Sequence, residues 1–333
     1  MKYIGETPAA NFHAGNKARA DIDRIFQNRG YQLVENFYET QFKSIGEKIS
    51  YIINPRTWLK IFRTLQTQNQ NLAMQFPTYS NSLVRWTMNR VLKQNRTLIV
   101  VHDVDALRDF STANSIDQIN SATLAIVHNS KMKSELESLG VQIPMIELDL
   151  FDYLLDKIPK IERHKSSEIV FAGNLGKSEF LKQNLELNFQ LYGIGWDKKF
   201  NESYNYYGSF PPDEIPFKLD GSFGLIWDGD SIETCAGSFG KYLRFNNPHK
   251  FSLYIASGLP TITWRKAAIA EFILQHEIGF VVDSLHEIPH VIENISDDQY
   301  SRFCQNLVEL QSKVTNGFFT NSALDRAEEI LGG

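Results

Sequence analysis

The sequence predicts an α/β fold of two Rossmann-like domains facing each other across a cleft. Short apolar, β-branched runs alternate with helix-period runs over nearly the whole chain, which is the pattern of parallel sheets covered by helices on both faces. At 333 residues the chain is long for one core, so two domains are the default. The segment DLFDYLLDKIPKIERHKS, 149–166, is charged, carries a proline and precedes a fresh strand. It is the best linker signal, and it sets the expected domains at 1–150 and 166–315. The C-terminal helical stretch, 316–333, is expected to pack back on the first domain.

In the first half, strands are expected at KYIG (2–5), YQLVENF (31–37), LAMQF (72–76), TLIVVHD (97–103), ATLAIVH (122–128) and PMIEL (144–148), with helices over 16–29, 56–70, 80–94 and 130–139. In the second half, they are expected at SEIVFAG (167–173), NFQLYGIG (188–195), YNYYG (204–208), FGLIWD (223–228), PTITW (260–264) and GFVVD (279–283), and helices dominate after 285. Each strand run is short and bounded by turn residues.

Net charge is −5, so a general affinity for nucleic acid or anionic membrane is not expected, and any phosphate site must be local. Two cysteines, Cys235 and Cys304, give neither a disulfide framework nor metal-ligand spacing and fit a reducing, cytoplasmic setting. The N-terminus has no apolar core of signal-peptide length, and no run is long enough to span a membrane.

Ligands of such sheets bind at the carboxyl ends of the strands, so those loops are read for function. In FHAGNKARADID (12–23), Gly15 permits close backbone approach and Asn16 can cap the helix. A capped helix with a solvated Lys17 is the plainer account of that loop. In VVHDVDALRDF (100–110), His102, Asp103 and Asp105 follow an apolar strand. They fit a general base or hydroxyl site, an oxygen-ligand metal pair, or an ordinary turn. In FAGNLGKSEFL (171–181), Gly173 and Gly176 loosen the crossing and Lys177 sits at the expected helix start, against the helix dipole, which favours an anion there. YYGSFPPDEIP (206–216) puts Tyr207 before a glycine, with a helix expected to be capped near Asp213. Asp228-Gly-Asp230 is ordinary turn chemistry or a metal-holding pair.

The densest signal is RFNNPHKFSLYIASGLPTITW, 244–264. Asn247 suits a cap, Pro248 a first helical turn and Gly258 a stop. Lys250 in the first turn is what capping leaves unexplained, since the dipole disfavours a cation there. Together they predict a diphosphate site that stabilises a leaving nucleoside diphosphate without metal.

HDVD (102–105), the Asn129-Ser130-Lys131 helix start, AGNLGKS (172–178), GLIWDG (224–229) and YLRFNNPHKFSLYIASGLP (242–260) resemble the bacterial glucosyltransferase family that extends glycans on serine-rich-repeat adhesins. Related galactofuranosyltransferases share these features. The resemblance covers nearly the full chain and is most specific around NPHK. It implies the two-domain B-type fold and a UDP-sugar as donor substrate with no other cofactor and no bound metal. It further implies a cytoplasmic homo-oligomer (dimer or tetramer), with no nucleic-acid partner, that adds a hexose, glucose or N-acetylglucosamine, to N-acetylglucosamine on adhesin serine or threonine. Carried over by residue, Gly15 and Asn16 face donor or acceptor, Gly173 and Lys177 reach the diphosphate, and Tyr207 lies by the uridine. Asn246, Asn247, His249 and Lys250 hold phosphates and ribose. Many B-type transferases carry a ribose-binding glutamate where this chain has Leu253, and an acidic partner where it has Phe245. Their absence fits inversion, for which Asp103 is the expected base and His13 the alternative. Competing readings are a metal-dependent transferase using Asp228 and Asp230, and a silent sugar-nucleotide-binding subunit of a partner transferase.

Overall fold

The computed structural model describes residues 1–6, 14–37, 44–108, 113–183, 185–197 and 200–332. The chain divides into two compact units, the first holding Met1–Asn11, Arg19–Leu148 and Thr320–Gly333, the second Phe12–Ala18 and Asp149–Phe319.

All twelve expected strand runs form strands. In the first unit these are β1 (Lys2–Gly5), β2 (Gln32–Asn36), β3 (Asn71–Phe76), β4 (Arg96–Val101), β5 (Leu124–Val127) and β6 (Met145–Glu147). They make one parallel sheet in the order β2-β1-β3-β4-β5-β6. In the second unit, β7 (Glu168–Asn174), β8 (Asn188–Ile194), β9 (Asn205–Gly208), β10 (Phe223–Ile226), β11 (Thr261–Trp264) and β12 (Gly279–Val282) form a second parallel sheet, β12-β11-β10-β7-β8-β9. Strand order reverses between β1 and β3 in one sheet and between β7 and β10 in the other. These switch points are where a crevice opens beyond the strand ends. Leu98 to Val101 of β4 and Phe223 to Ile226 of β10 are wholly buried, as strands covered on both faces must be.

The helices are α1 (Ala14–Asn28), α2 (Ile45–Ile53), α3 (Pro55–Leu65), α4 (Ser82–Gln94), α5 (Ala113–Asn120) and α6 (Ser130–Ser138), then α7 (Gly237–Tyr242), α8 (His249–Ala256), α9 (Ala270–Gln275), α10 (Ile288–Asn294), α11 (Asp297–Thr315) and α12 (Phe318–Gly332). Asn81 caps α4 by accepting from the Leu83 and Val84 amides, and Asn129 caps α6 by accepting from Met132. At the end of α8, Gly258 takes φ +63°, Leu259 N–H bonds Tyr254 O at 2.9 Å and Gly258 N–H bonds Ile255 O at 2.9 Å, a Schellman stop that only glycine adopts without strain. Within the first unit, Asp325 and Glu328 of α12 pair with Arg29 at 2.7 and 2.9 Å. Among the described residues no helix is long and apolar enough to cross a membrane.

Several local expectations need correction. α1 begins at Ala14, so Asn16 lies inside its first turn rather than at the cap; alanine's high helix propensity carries the helix further back. Among the described residues between β7 and β8 there is no α-helix. Leu175–Lys177 and Glu179–Lys182 form two 3₁₀ turns, because Asn174 supplies no side-chain cap and Gly176 weakens the first turn. The helix expected near Asp213 is a 3₁₀ turn at Ile215–Phe217, in a stretch where Pro211, Pro212 and Pro216 remove amide donors.

Candidate functional site

The second unit holds a cavity of about 280 Å³ beyond the carboxyl ends of β7 and β8, beside the switch point. Ala172, Gly173 and Asn174 end β7, and Gly193 and Ile194 end β8. Ser209, Phe210 and Pro212 wall it after β9, and Lys250 and Leu253 enter from α8. Lys177, from the first 3₁₀ turn, adds a second ammonium. Two lysines over a glycine-lined strand end suit a polyanion, since the backbone can approach closely and the charges converge.

Lys250 is held rather than free. Its Nζ donates to Asp228 Oδ1 at 2.8 Å and to the Trp227 carbonyl at 3.2 Å, and lies 4.6 Å from the centre of the Phe171 ring. Asp228 lies two residues past the end of β10, so the crossover from β10 to α8 brings the pair together across 22 residues. Asp228 therefore already has a cation. Among the described residues no group of three or more His, Cys, Asp or Glu is placed to hold a metal ion.

The other polar residues of the NNPHK run point elsewhere. Pro248 is the N-cap of α8, with extended backbone (φ −67°, ψ 137°), so the helix begins at His249 and Asn247 lies one residue outside the cap. Asn247 is buried and donates its amide to the Asp149 carbonyl at 2.7 Å. Asn246 buries its side-chain oxygen outside the cavity wall. His249 stacks on Tyr153, ring centres 5.1 Å apart. Burial pushes its pKa down to about 3, with the nearby Lys17 charge adding to this, so the imidazole is neutral. Tyr207 stacks on Tyr192 at 5.1 Å, and its neighbours Ser209 and Phe210 line the cavity instead. Lys17, expected to be solvated, is buried; it donates to Leu154 O at 2.7 Å and pairs with Asp213 at 2.9 Å, because a buried ammonium needs partners.

A second cavity, of about 610 Å³, lies within the first unit beyond β3 and β4. Tyr79, Ser82, Arg85, Trp86, Asp103 and Asp105 are on its wall. Asp103 accepts from the Tyr79 hydroxyl at 2.5 Å and from Arg108. The Arg19 guanidinium sits 4.5 Å from the centre of the Tyr79 ring and donates to Glu6 Oε2 at 2.7 Å, just past β1. A connected network, Glu6·Arg19·Tyr79·Asp103·Arg108, thus runs along the strand ends at that sheet's switch point. His102, beside Asp103, bonds Gln75 Oε1 at 2.7 Å. His13 lies outside the described residues. Gly15 and Asn16 sit in the first turn of α1, and Asn16 is not on the wall of either cavity.

Sequence reasoning missed Glu6, Arg19 and Tyr79, and in the other cavity Tyr153, Phe210 and Pro212. Glu6 reads as the end of a strand; only the fold sets Arg19 against it. Burial, its largest influence, raises the Glu6 carboxyl to about 7 despite Arg19. The unfolded carboxyl titrates near 4.5, so between these values the folded chain binds the extra proton. Stability from this group is full below the unfolded value and is lost as pH rises through about 7. Urea unfolding from pH 4.5 to 8 is expected to show that fall in wild type, and Glu6→Gln is expected to flatten it.

Comparisons with known proteins follow the same division. Residues 1–150 match the family described as glucosyltransferase 3-like, N-terminal domain, and residues 169–327 match its C-terminal domain. The chain is 35% identical to the β-1,6-galactofuranosyltransferase WbbI of Escherichia coli (strain K12), over 99% of both chains. It is 24% identical to glucosyltransferase 3 of Streptococcus gordonii, over 72% of both. Its fold matches HepE of Anabaena, solved with UDP and glucose, over 100% of both chains with a TM-score of 0.64 at 11% identity.

Proposed function

The chain belongs to the glucosyltransferase 3-like family of glycosyltransferases, and from that premise we propose that it moves a hexose from a UDP-sugar to a glycosylated acceptor. The observation that carries this is the cavity beyond β7 and β8, with Lys177 and Lys250 on a wall of glycine backbone. The diphosphate lies between the two ammoniums. Asp228 fixes Lys250 so that its charge meets the charge building on the leaving phosphate, with no metal ion required. Leu253 occupies the wall where a carboxylate would stand in the retaining branch. This supports inversion, in which the acceptor oxygen bonds the anomeric carbon as the bond to UDP breaks. In the first unit's cavity, Asp103 takes the acceptor proton, oriented by Tyr79 and Arg108.

On this reading the sugar is glucose or N-acetylglucosamine, and the acceptor is N-acetylglucosamine on serine or threonine of a serine-rich adhesin, modified in the cytoplasm by a homo-oligomer. A second reading, a galactofuranosyl donor and a glycan acceptor, is favoured by the relative that is 35% identical over 99% of the chain. The test is a mass-spectrometric transfer assay with UDP-glucose, UDP-N-acetylglucosamine and UDP-galactofuranose. It offers an N-acetylglucosaminyl serine peptide and a free glycan, with and without EDTA. Transfer from one UDP-sugar that survives EDTA is expected. EDTA-abolished turnover, together with a dead Asp230→Ala, would replace this reading with the metal-dependent one. Donor binding without transfer or hydrolysis would leave a silent subunit.

A further inference from the structure

The first unit carries an exposed apolar face that neither cavity uses. On α2, Ile45, Ile49 and Ile52 recur at one helical face with Ile53 beside them, and no residue of that helix is buried. On α3, Thr57, Ile61 and Thr64 turn inward, whereas Trp58, Leu59 and Phe62 turn out. Exposure reaches 79% at Ile45, 71% at Ile53 and 58% at Phe62. Isolated apolar residues on a surface are ordinary, but seven on two consecutive helices form a patch. The Trp58 indole donates to the Ile52 carbonyl at 2.6 Å and joins the two helices into one surface.

The charge around that patch selects its partner. The chain as a whole is acidic, at −5, yet residues 44–65 hold four bases, Lys48, Arg56, Lys60 and Arg63, against one acid, Glu47; Lys60 is engaged by Glu35 at 3.1 Å, while Lys48, Arg56 and Arg63 are exposed. Helical spacing places Lys48 at one border of the isoleucine stripe, and Arg56 and Arg63 at one border of the Trp58-Leu59-Phe62 stripe. An apolar stripe with tryptophan and phenylalanine, edged by lysine and arginine, is the composition of a helix lying in the plane of a lipid interface. A symmetric contact between two copies would gather the bases of both at one interface with a single acid from each to balance them, at a repulsive cost. Anionic headgroups neutralise them instead.

We propose that α2 and α3 form a membrane-surface docking element that seats the protein on anionic phospholipid, with the isoleucine and aromatic side chains in the acyl boundary and the bases on the headgroups. This docking is independent of which sugar is transferred. It places the enzyme where an acceptor borne at a membrane surface would be met.

The test is cosedimentation of the full chain with vesicles of phosphatidylcholine alone and of phosphatidylcholine with phosphatidylglycerol. Binding is expected to be about tenfold tighter to the anionic vesicles, with each of Arg56→Gln and Arg63→Gln weakening it about fivefold. Ile49→Glu with Phe62→Glu is expected to abolish it, leaving transfer to a soluble acceptor unchanged and the circular dichroism native. Three results each overturn the proposal: no vesicle binding by the wild type, equal binding by the double variant, or a dimer that the double variant dissociates with no lipid binding by either form. Because transfer is assayed separately, loss of docking and failure of the transferase reading are told apart.

Discussion

Lys250→Ala is expected to lower transfer by about 10²- to 10³-fold, the usual loss when a fixed donor to developing charge is removed. The substitution deletes the ammonium that Asp228 and the Trp227 carbonyl hold at the cavity wall. It also strands Asp228, which pairs with Lys250 at 2.8 Å. The loss falls on kcat more than on KM, because the charge on the departing phosphate grows as the bond breaks. Steady-state kinetics with the best UDP-sugar check this. Asp228→Asn is expected to fall between wild type and Lys250→Ala, because it leaves the lysine in place but loosens its aim. A Lys250→Ala enzyme with near-native kcat would remove the lysine from the chemistry.

Gly193→Ala is expected to damage the same cavity through the backbone. Gly193 has φ +131°, and a Cβ there would stand 1.8 Å from the Gly173 carbonyl oxygen. That oxygen belongs to the backbone of the paired strand and cannot swing away. Either the ends of β7 and β8 part or the second unit fails to form. The expected cost is about 3 kcal/mol or more, from strain and overpacking together, with loss of UDP-sugar binding. Gly30→Ala is the control. Gly30 also has positive φ, +74°, but nothing lies within 4 Å of its added Cβ, so only the strain of about 1 kcal/mol remains. Urea unfolding of the two variants, followed by near-ultraviolet circular dichroism, separates close approach from strain.

The strands were legible because runs such as TLIVV and FGLI are buried on both faces, and only a parallel sheet under helices uses such runs in that number. α2 was not legible: its isoleucines face outward, so its pattern answers to no core. The lysine at 250 was legible from the dipole rule, because capping leaves a cation in the first turn unexplained. Its partner was not, because Asp228 reaches it only through the β10–α8 crossover. Asn247 and His249 show the opposite failure. Local chemistry made them ligands, and packing used one to tie down Asp149 and the other to stack on Tyr153. The Glu6–Arg19 contact joins a strand end to a helix 13 residues on, and the sequence there gives only a charge of each sign.

The central claim is that the second unit's cavity holds the donor's diphosphate through Lys250. Calorimetric titration of UDP and GDP into wild type, Lys250→Ala and Arg85→Ala tests it most directly, since Arg85 is on the wall of the first unit's cavity and not of the second unit's. The account predicts that UDP binds wild type and Arg85→Ala alike. It also predicts that UDP binds Lys250→Ala about 10- to 100-fold more weakly, the worth of one charge-assisted hydrogen bond, and that GDP binds poorly throughout. Equal UDP affinity in wild type and Lys250→Ala, or binding of GDP alone, would contradict it.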